Sequence, residues 1–136
     1  MSEIRVMLVD DEPAFLNTLK KRLVHRKFSV STAQCGEECL ALLKQAPVDV
    51  VILDVKMPVM DGIEVLGEIV RRMPRVAVVL LTGHADSATA VGGIEGGAFD
   101  YLLKPVAIDD LVNAIQGAYE SKQLGGSSGS KASKRD

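Results

Sequence analysis

The chain has 136 residues, a formal net charge of −2, 47% hydrophobic and 25% charged residues. That is one domain's length with apolar material for a real core, and it carries no basic stripe of the kind that binds nucleic acid. No apolar run approaches membrane-spanning length, and the N-terminus enters a strand pattern without a signal peptide, so a cytoplasmic location is expected.

Residues 4–9 read as a first strand, whose apolar run Val6-Met7-Leu8-Val9 ends in Asp10-Asp11. Pro13 suits the first turn of a helix, and Phe15, Leu16, Leu19 and Leu23 give that helix an apolar face. Residues 28–32 alternate like an outer strand. Residues 36–45 form a helix with Leu40 and Leu43 turned inward. Residues 49–53 are the central strand, and their run stops at Asp54, before Val55-Lys56-Met57-Pro58. A third helix covers 63–72, with Ile63, Leu66, Ile69 and Val70 apolar, and ends before Pro74.

Residues 76–81 are a buried strand leading to Thr82. Asp86 caps a fourth helix running to about Gly97. The last strand, 99–103, leads to Lys104-Pro105, and the last helix runs from Ile108 to about Gln123, packing Leu111, Val112, Ile115 and Tyr119. Strands and helices that alternate with short loops imply a doubly wound α/β sheet. Residues 1–124 make up the domain. Residues 125–136, rich in Gly and Ser and then in Lys, are expected to be disordered, as a tail or the start of a linker. Cys35 and Cys39 are the only cysteines; no zinc set forms around them, and they read as reduced thiols.

In a parallel sheet the C-terminal strand ends share one edge. Asp10, Asp11, Asp54, Thr82 and Lys104 should therefore meet. Clustered carboxylates repel one another and raise each other's pKa unless a cation sits among them. Oxygen ligands suit Mg²⁺, which keeps several waters and binds phosphate oxygens. A carboxylate such as Asp54 can attack phosphorus and form an acyl phosphate, while a lysine and a hydroxyl bind the phosphoryl oxygens.

This ordered set, Asp10-Asp11, Asp54 with Met57-Pro58, Thr82 and Lys104-Pro105, resembles the receiver domain of bacterial two-component response regulators across residues 4–120. The resemblance implies a flavodoxin-like five-stranded sheet in the order 2-1-3-4-5. It implies that Asp54 accepts a phosphoryl group from a sensor histidine kinase or phosphotransfer protein in a reaction requiring Mg²⁺, for which Mn²⁺ can substitute. Asp11 would touch the metal directly, Asp10 largely through water, and the Lys56 backbone carbonyl would be a further ligand. The Lys104-Pro105 peptide is expected to be cis. Thr82 and Tyr101 would form the switch, and the positions of Lys56 and His84 would set the lifetime of the phosphoryl group. The face made by helix 4, strand 5 and helix 5 would bind a partner, an output domain or a second copy. Such a domain catalyses only its own phosphorylation and dephosphorylation.

Plainer readings stand beside these. Glu12, rather than Asp10 or Asp11, is placed to favour the N-terminus of the helix that Pro13 begins. Tyr101 is equally a core tyrosine, His84 equally a solvated loop residue, and His25 a surface helix residue. A Mg²⁺-dependent phosphohydrolase also uses an aspartyl nucleophile, but such enzymes often carry an acid two residues later, where this chain has Lys56, and no insertion is long enough for a cap. A phosphorylation-independent module would tolerate a broken acidic set; here it is intact. Gly92, Gly93, Gly96 and Gly97 fall near the end of the fourth helix. Gly97 is expected at its C-terminus with positive φ, and the other three inside it, each costing about 1 kcal/mol relative to Ala. They mark either a soft, moving helix or close backbone packing.

Overall fold

The computed structural model describes residues 3–57, 60–83 and 87–124. The elements follow one another as β1 (Arg5–Val9), α1 (Pro13–His25), β2 (Ser29–Ala33), α2 (Gly36–Gln45), β3 (Val50–Asp54), α3 (Gly62–Arg72), β4 (Ala77–Thr82), α4 (Ser87–Glu95), β5 (Asp100–Leu103) and α5 (Ile108–Gln123). All strand pairs are parallel, and the sheet order is β2-β1-β3-β4-β5. This is the doubly wound, flavodoxin-like architecture.

Side chains alternate across a strand, so each central strand feeds two cores. Val6, Leu8, Val50, Ile52, Val79 and Leu81 pack with Leu16, Leu19 and Leu23 of α1 and Leu111 and Ile115 of α5. Met7, Val9, Val51, Leu53, Val78 and Leu80 pack on the other face with Cys39 of α2, Val65, Leu66 and Ile69 of α3, and Ile94 of α4. Burial on both faces explains why β3 and β4 read as unbroken apolar runs rather than as alternating ones. At the far end of the sheet, Arg5 makes a two-pronged ion pair with Asp49, with contacts of 3.1 and 2.9 Å. Burial pushes the Asp49 carboxyl up, but the hydrogen bonds and charge of Arg5 outweigh it and hold the group below its ordinary range.

Element boundaries move by a residue or two from those read in the sequence. Asp54 and Thr82 are the last residues of β3 and β4 rather than the first beyond them, because each still pairs in the ladder: Asp54 opposite Leu81, Thr82 opposite Leu103. In α2, Cys39 takes the fully buried position and Leu40 is half-buried beside Leu43. The thiols of Cys35 and Cys39 are both free, and burial pushes that of Cys39 up to about 12. Helix α3 begins at Gly62, under a capping box in which Asp61 accepts from the Glu64 N–H and the Glu64 carboxylate accepts from that of Asp61. Asp86 and His84 lie outside the described residues.

The end of α4 departs from the sequence reading. The helix stops at Glu95, so Gly96 is not inside it. Gly97 has φ +115°, and the N–H groups of Gly97 and Ala98 donate back to the carbonyls of Ile94 and Gly93. That is a complete Schellman ending, and Gly97 is the residue it requires. The two glycines within the helix differ. A Cβ on Gly92 would meet nothing within 4 Å, whereas one on Gly93 would lie 2.4 Å from Cδ1 of fully buried Leu80. Gly93 therefore serves packing, and Gly92 is a loss of helix propensity without a packing return.

Gly92→Ala should raise stability by about 0.5–1 kcal/mol, and Gly93→Ala should lower it by about 1–2 kcal/mol through overpacking. Chemical denaturation of the two variants decides this; a gain of stability in both would remove the packing explanation for Gly93.

Candidate phosphoacceptor site

The register of the sheet assembles the site. Val9 stands opposite Leu53, so Asp10 follows β1 level with Asp54 at the end of β3. Asp54 stands opposite Leu81, and Thr82 is the next residue of β4. Thr82 stands opposite Leu103, and Lys104 follows. The Lys104 N–H donates to the Thr82 carbonyl at 2.7 Å, which continues the ladder into the site, and the Lys104–Pro105 peptide is cis. The strand ends that carry Asp10, Asp54, Thr82 and Lys104 thus share one edge of the sheet.

Asp10, Asp11 and Asp54 each bring a carboxylate oxygen within 4.8 Å of the others. Asp10 and Asp54 are 2% and 6% exposed, while Asp11 faces solvent. Lys104 Nζ lies 2.6 Å from Oδ2 of Asp10 and 3.9 Å from Oδ2 of Asp54. One ammonium thus lies within 4 Å of two members of a three-carboxylate cluster, and the set carries excess negative charge. The Glu12 N–H donates to Oδ1 of Asp10 at 3.0 Å, and the Lys56 N–H donates to Oδ1 of Asp54 at 3.3 Å. These bonds turn the remaining oxygens toward the shared space. Glu12 occupies the N-cap of α1, but its side chain makes no capping hydrogen bond; its backbone orients Asp10 instead.

Burial raises the Asp54 carboxyl to about 6, and the charge of Asp10 adds to the rise. Lys104 and the Lys56 N–H oppose it, and the charge of Asp11 adds a little. A group in this state is half ionised near pH 6 and gains from any cation brought alongside. An all-oxygen donor set with one solvent-facing member fits a hard divalent ion that keeps part of its water shell.

Thr82 is 2% exposed. By strand alternation it lies on the face of Val78 and Leu80, where half-buried Tyr101 also packs. The side chain of Lys56 is exposed, as is His25 at the end of α1. Two features escaped the sequence. The Phe15 ring lies under Lys104, with Nζ 4.4 Å from its centroid; Phe15 read only as part of an apolar helix face. Gly62 lies against the backbone of the acceptor strand: its N–H donates to the Val55 carbonyl at 2.8 Å, and a Cβ there would fall 2.4 Å from the Asp54 carbonyl oxygen. The Asp-Gly-Ile-Glu run at 61–64 carried a signal for that second feature, since an acid followed three residues later by Glu marks a helix start.

Comparison with known proteins agrees with this geometry. The family described as response regulator receiver domain matches residues 6–116. The transcriptional regulatory protein GlrR of Escherichia coli (strain K12) is 41% identical over 115 residues, which are 85% of this chain and 26% of that protein. The DNA-binding transcriptional regulator NtrC of Salmonella typhimurium is 36% identical over 118 residues, covering 87% of this chain and 25% of that protein. The present chain spans about a quarter of the length of these relatives. Among solved structures, a response regulator receiver domain protein from Clostridium thermocellum superposes with a TM-score of 0.85 at 38% identity, covering 89% of this chain and 98% of that one. A CheY-like receiver domain protein from Methanospirillum hungatei JF-1 gives 0.86 at 29% identity, covering 92% and 100%. The chain belongs to the response regulator receiver domain family.

Proposed function

We propose that this receiver accepts a phosphoryl group on Asp54 from a phosphohistidine of a sensor kinase or phosphotransfer protein, and that the modification alters the surface it offers to a partner. The observation that carries this reading is the position of Asp54, sharing a 4.8 Å cluster with Asp10 and Asp11 and lying 3.9 Å from Lys104 Nζ. In the transfer, an Asp54 carboxylate oxygen forms a bond to phosphorus as the phosphorus–nitrogen bond to the donor imidazole breaks. The electron pair returns to the imidazole nitrogen, which takes up a proton. Attack of water on phosphorus later releases inorganic phosphate and restores the carboxylate. The domain promotes only these reactions on itself.

Asp10, Asp11, Asp54 and the Lys56 backbone carbonyl are the groups that would hold Mg²⁺, with Mn²⁺ able to substitute. Such an ion supplies charge neutralisation for the phosphoryl oxygens. Lys104 supplies the protein's own cation. It is paired with Asp10 at 2.6 Å, so a phosphoryl group on Asp54 competes with Asp10 for the ammonium. The Thr82 hydroxyl is the second group we assign to the phosphoryl oxygens, and Tyr101 on the same sheet face passes the change toward α4. Val91 on α4 and Leu103 on β5 are exposed. With Leu103, the residues Phe99, Pro105, Val106, Asp110 and Asn113 border a cavity of about 560 Å³ against α5. We assign this face to an output domain, an effector or a second copy. No helix among the described residues is long and apolar enough to cross a membrane, and we place the protein in the cytoplasm.

Incubation with acetyl phosphate and Mg²⁺ should add the mass of one phosphoryl group to the wild type and none to Asp54→Asn. The same gain in Asp54→Asn, at another residue, would refute the assignment. Omission of the divalent cation should abolish labelling, and Asp11→Ala should reduce it at least tenfold.

The pKa of Asp54 gives a second test. Its folded value of about 6 lies above the ordinary 3.8, so the protonated form favours the fold. That contribution is complete below pH 3.8 and is lost as pH rises through 6. Above pH 6 the ionised carboxylate opposes folding. In a chelating buffer at pH 7.5, Asp54→Asn should therefore exceed the wild type in stability by about 1–3 kcal/mol. The gap should close as the buffer is acidified below about pH 4, and narrow when Mg²⁺ is supplied at pH 7.5. Denaturation curves across that range measure it; a gap independent of pH would contradict the crowded-carboxylate picture.

A further inference from the structure

Lys104 Nζ lies beside three groups of interest: the Asp10 carboxylate at 2.6 Å, the Asp54 carboxylate at 3.9 Å and the face of Phe15 at 4.4 Å from its centroid. Two are anions. The third is neutral, and it is the only one that asks for none of the ammonium's N–H donors. Phe15 sits in the first turn of α1, where Pro13 fixes the start of the helix. Its ring is half-buried against the core shared by α1 and α5. It is therefore held by packing, independent of the charges above it. The Lys104 side chain is only 19% exposed, so the ring also closes part of the path by which the ammonium could turn out to water.

We propose that Phe15 is a positioning residue for phosphoryl transfer, holding the Lys104 ammonium over Asp54 through its ring face. The inference rests on the proposed role of Asp54 as phosphoacceptor and adds a residue to it. An ammonium has three donors. When a phosphoryl group arrives, Lys104 must turn donors from Asp10 to the new oxygens without leaving the site. A carboxylate in the place of Phe15 would compete for those donors, and an aliphatic side chain would offer the charge no attraction. An aromatic face attracts the cation and leaves its donors free. The attraction is worth most in a partly desolvated place, which is where it occurs here.

The test uses the full chain with phosphoramidate as donor and saturating Mg²⁺. Four forms are compared: wild type, Phe15→Leu, Phe15→Tyr, and Phe15 replaced by 3,4,5-trifluorophenylalanine, which keeps the ring's shape and weakens its negative face. Phosphorylation should slow roughly 3- to 30-fold in Phe15→Leu and clearly in the fluorinated form. Phe15→Tyr should stay within about twofold of wild type, since its ring face is comparable. The Mg²⁺ midpoint should be unchanged throughout. The Lys104 ε-methylene protons should show an upfield ring-current shift in the wild type that disappears in Phe15→Leu. Wild-type rates in both Phe15→Leu and the fluorinated form would overturn the proposal. A slow Phe15→Leu beside a fluorinated form at the wild-type rate would also overturn it, by reducing Phe15 to packing. If Phe15→Leu fails to fold, the fluorinated form decides. A wild type that takes no phosphoryl group at all would instead refute the function on which the inference rests.

Discussion

Like-charge crowding at the end of a buried strand governs this molecule. Asp10, Asp11 and Asp54 hold carboxylate oxygens within 4.8 Å of one another, and two of the three side chains are nearly inaccessible. In bulk water such a cluster would relax by moving apart. Here the sheet forbids it, because Asp10 directly follows β1, Asp54 ends β3, and the two strands are fixed in register by a ladder of backbone bonds. Burial, with the charge of Asp10 added to it, shows in Asp54, whose carboxyl is raised to about 6. A single ammonium, Lys104, offsets part of it. On the proposed reading a divalent cation would relieve that imbalance and offset the further negative charge a phosphoryl group on Asp54 would bring, which would couple the two at one site.

The rest of the fold reads as support for that arrangement. Packing on both faces makes β1, β3 and β4 rigid, so the strand ends present their side chains at fixed separations. Gly62 lets the start of α3 lie against the Asp54 and Val55 backbone, where any side chain would collide with the Asp54 carbonyl. The capping box at Asp61 and Glu64 then anchors the loop that returns from the acceptor strand. Backbone donors from Glu12 and Lys56 fix the carboxylates in orientation. On the other side of the site, Thr82 and Tyr101 lead toward α4. That helix carries one glycine, Gly92, with no packing role, and ends in a turn that only a residue at positive φ completes.

Much of this was legible in the sequence, and the reason is physical. A strand buried on both faces must be apolar throughout, so the point where polarity returns marks its end: Asp10, Asp54 and Thr82 announce themselves that way, while Lys104 follows the short apolar run of the half-exposed edge strand β5. The two-period and 3.6-period patterns then gave the alternation of strands and helices, and the shared strand-end edge gave the cluster. Boundaries were less legible, because Asp54 and Thr82 are polar yet still pair in the ladder. Contacts between remote segments were not legible at all. Phe15 and Lys104 lie on different elements, and nothing local distinguishes a phenylalanine that packs from one that also faces a cation. Gly96 reads as helical in the sequence because composition alone does not show where a Schellman ending falls. Gly93 and Gly92 are adjacent and identical, and only the position of Leu80 separates their roles.

The charge state of Asp54 separates a crowded, buried carboxylate from an ordinary solvated one. Carbon-detected NMR of the side-chain carboxyl, followed across pH, reads its pKa directly, first in chelating buffer and then with saturating Mg²⁺. Burial and crowding put the midpoint near 6 without the metal, and the cation should move it clearly downward. A midpoint at the ordinary aspartate value without metal, or one that Mg²⁺ leaves unmoved, would contradict that expectation.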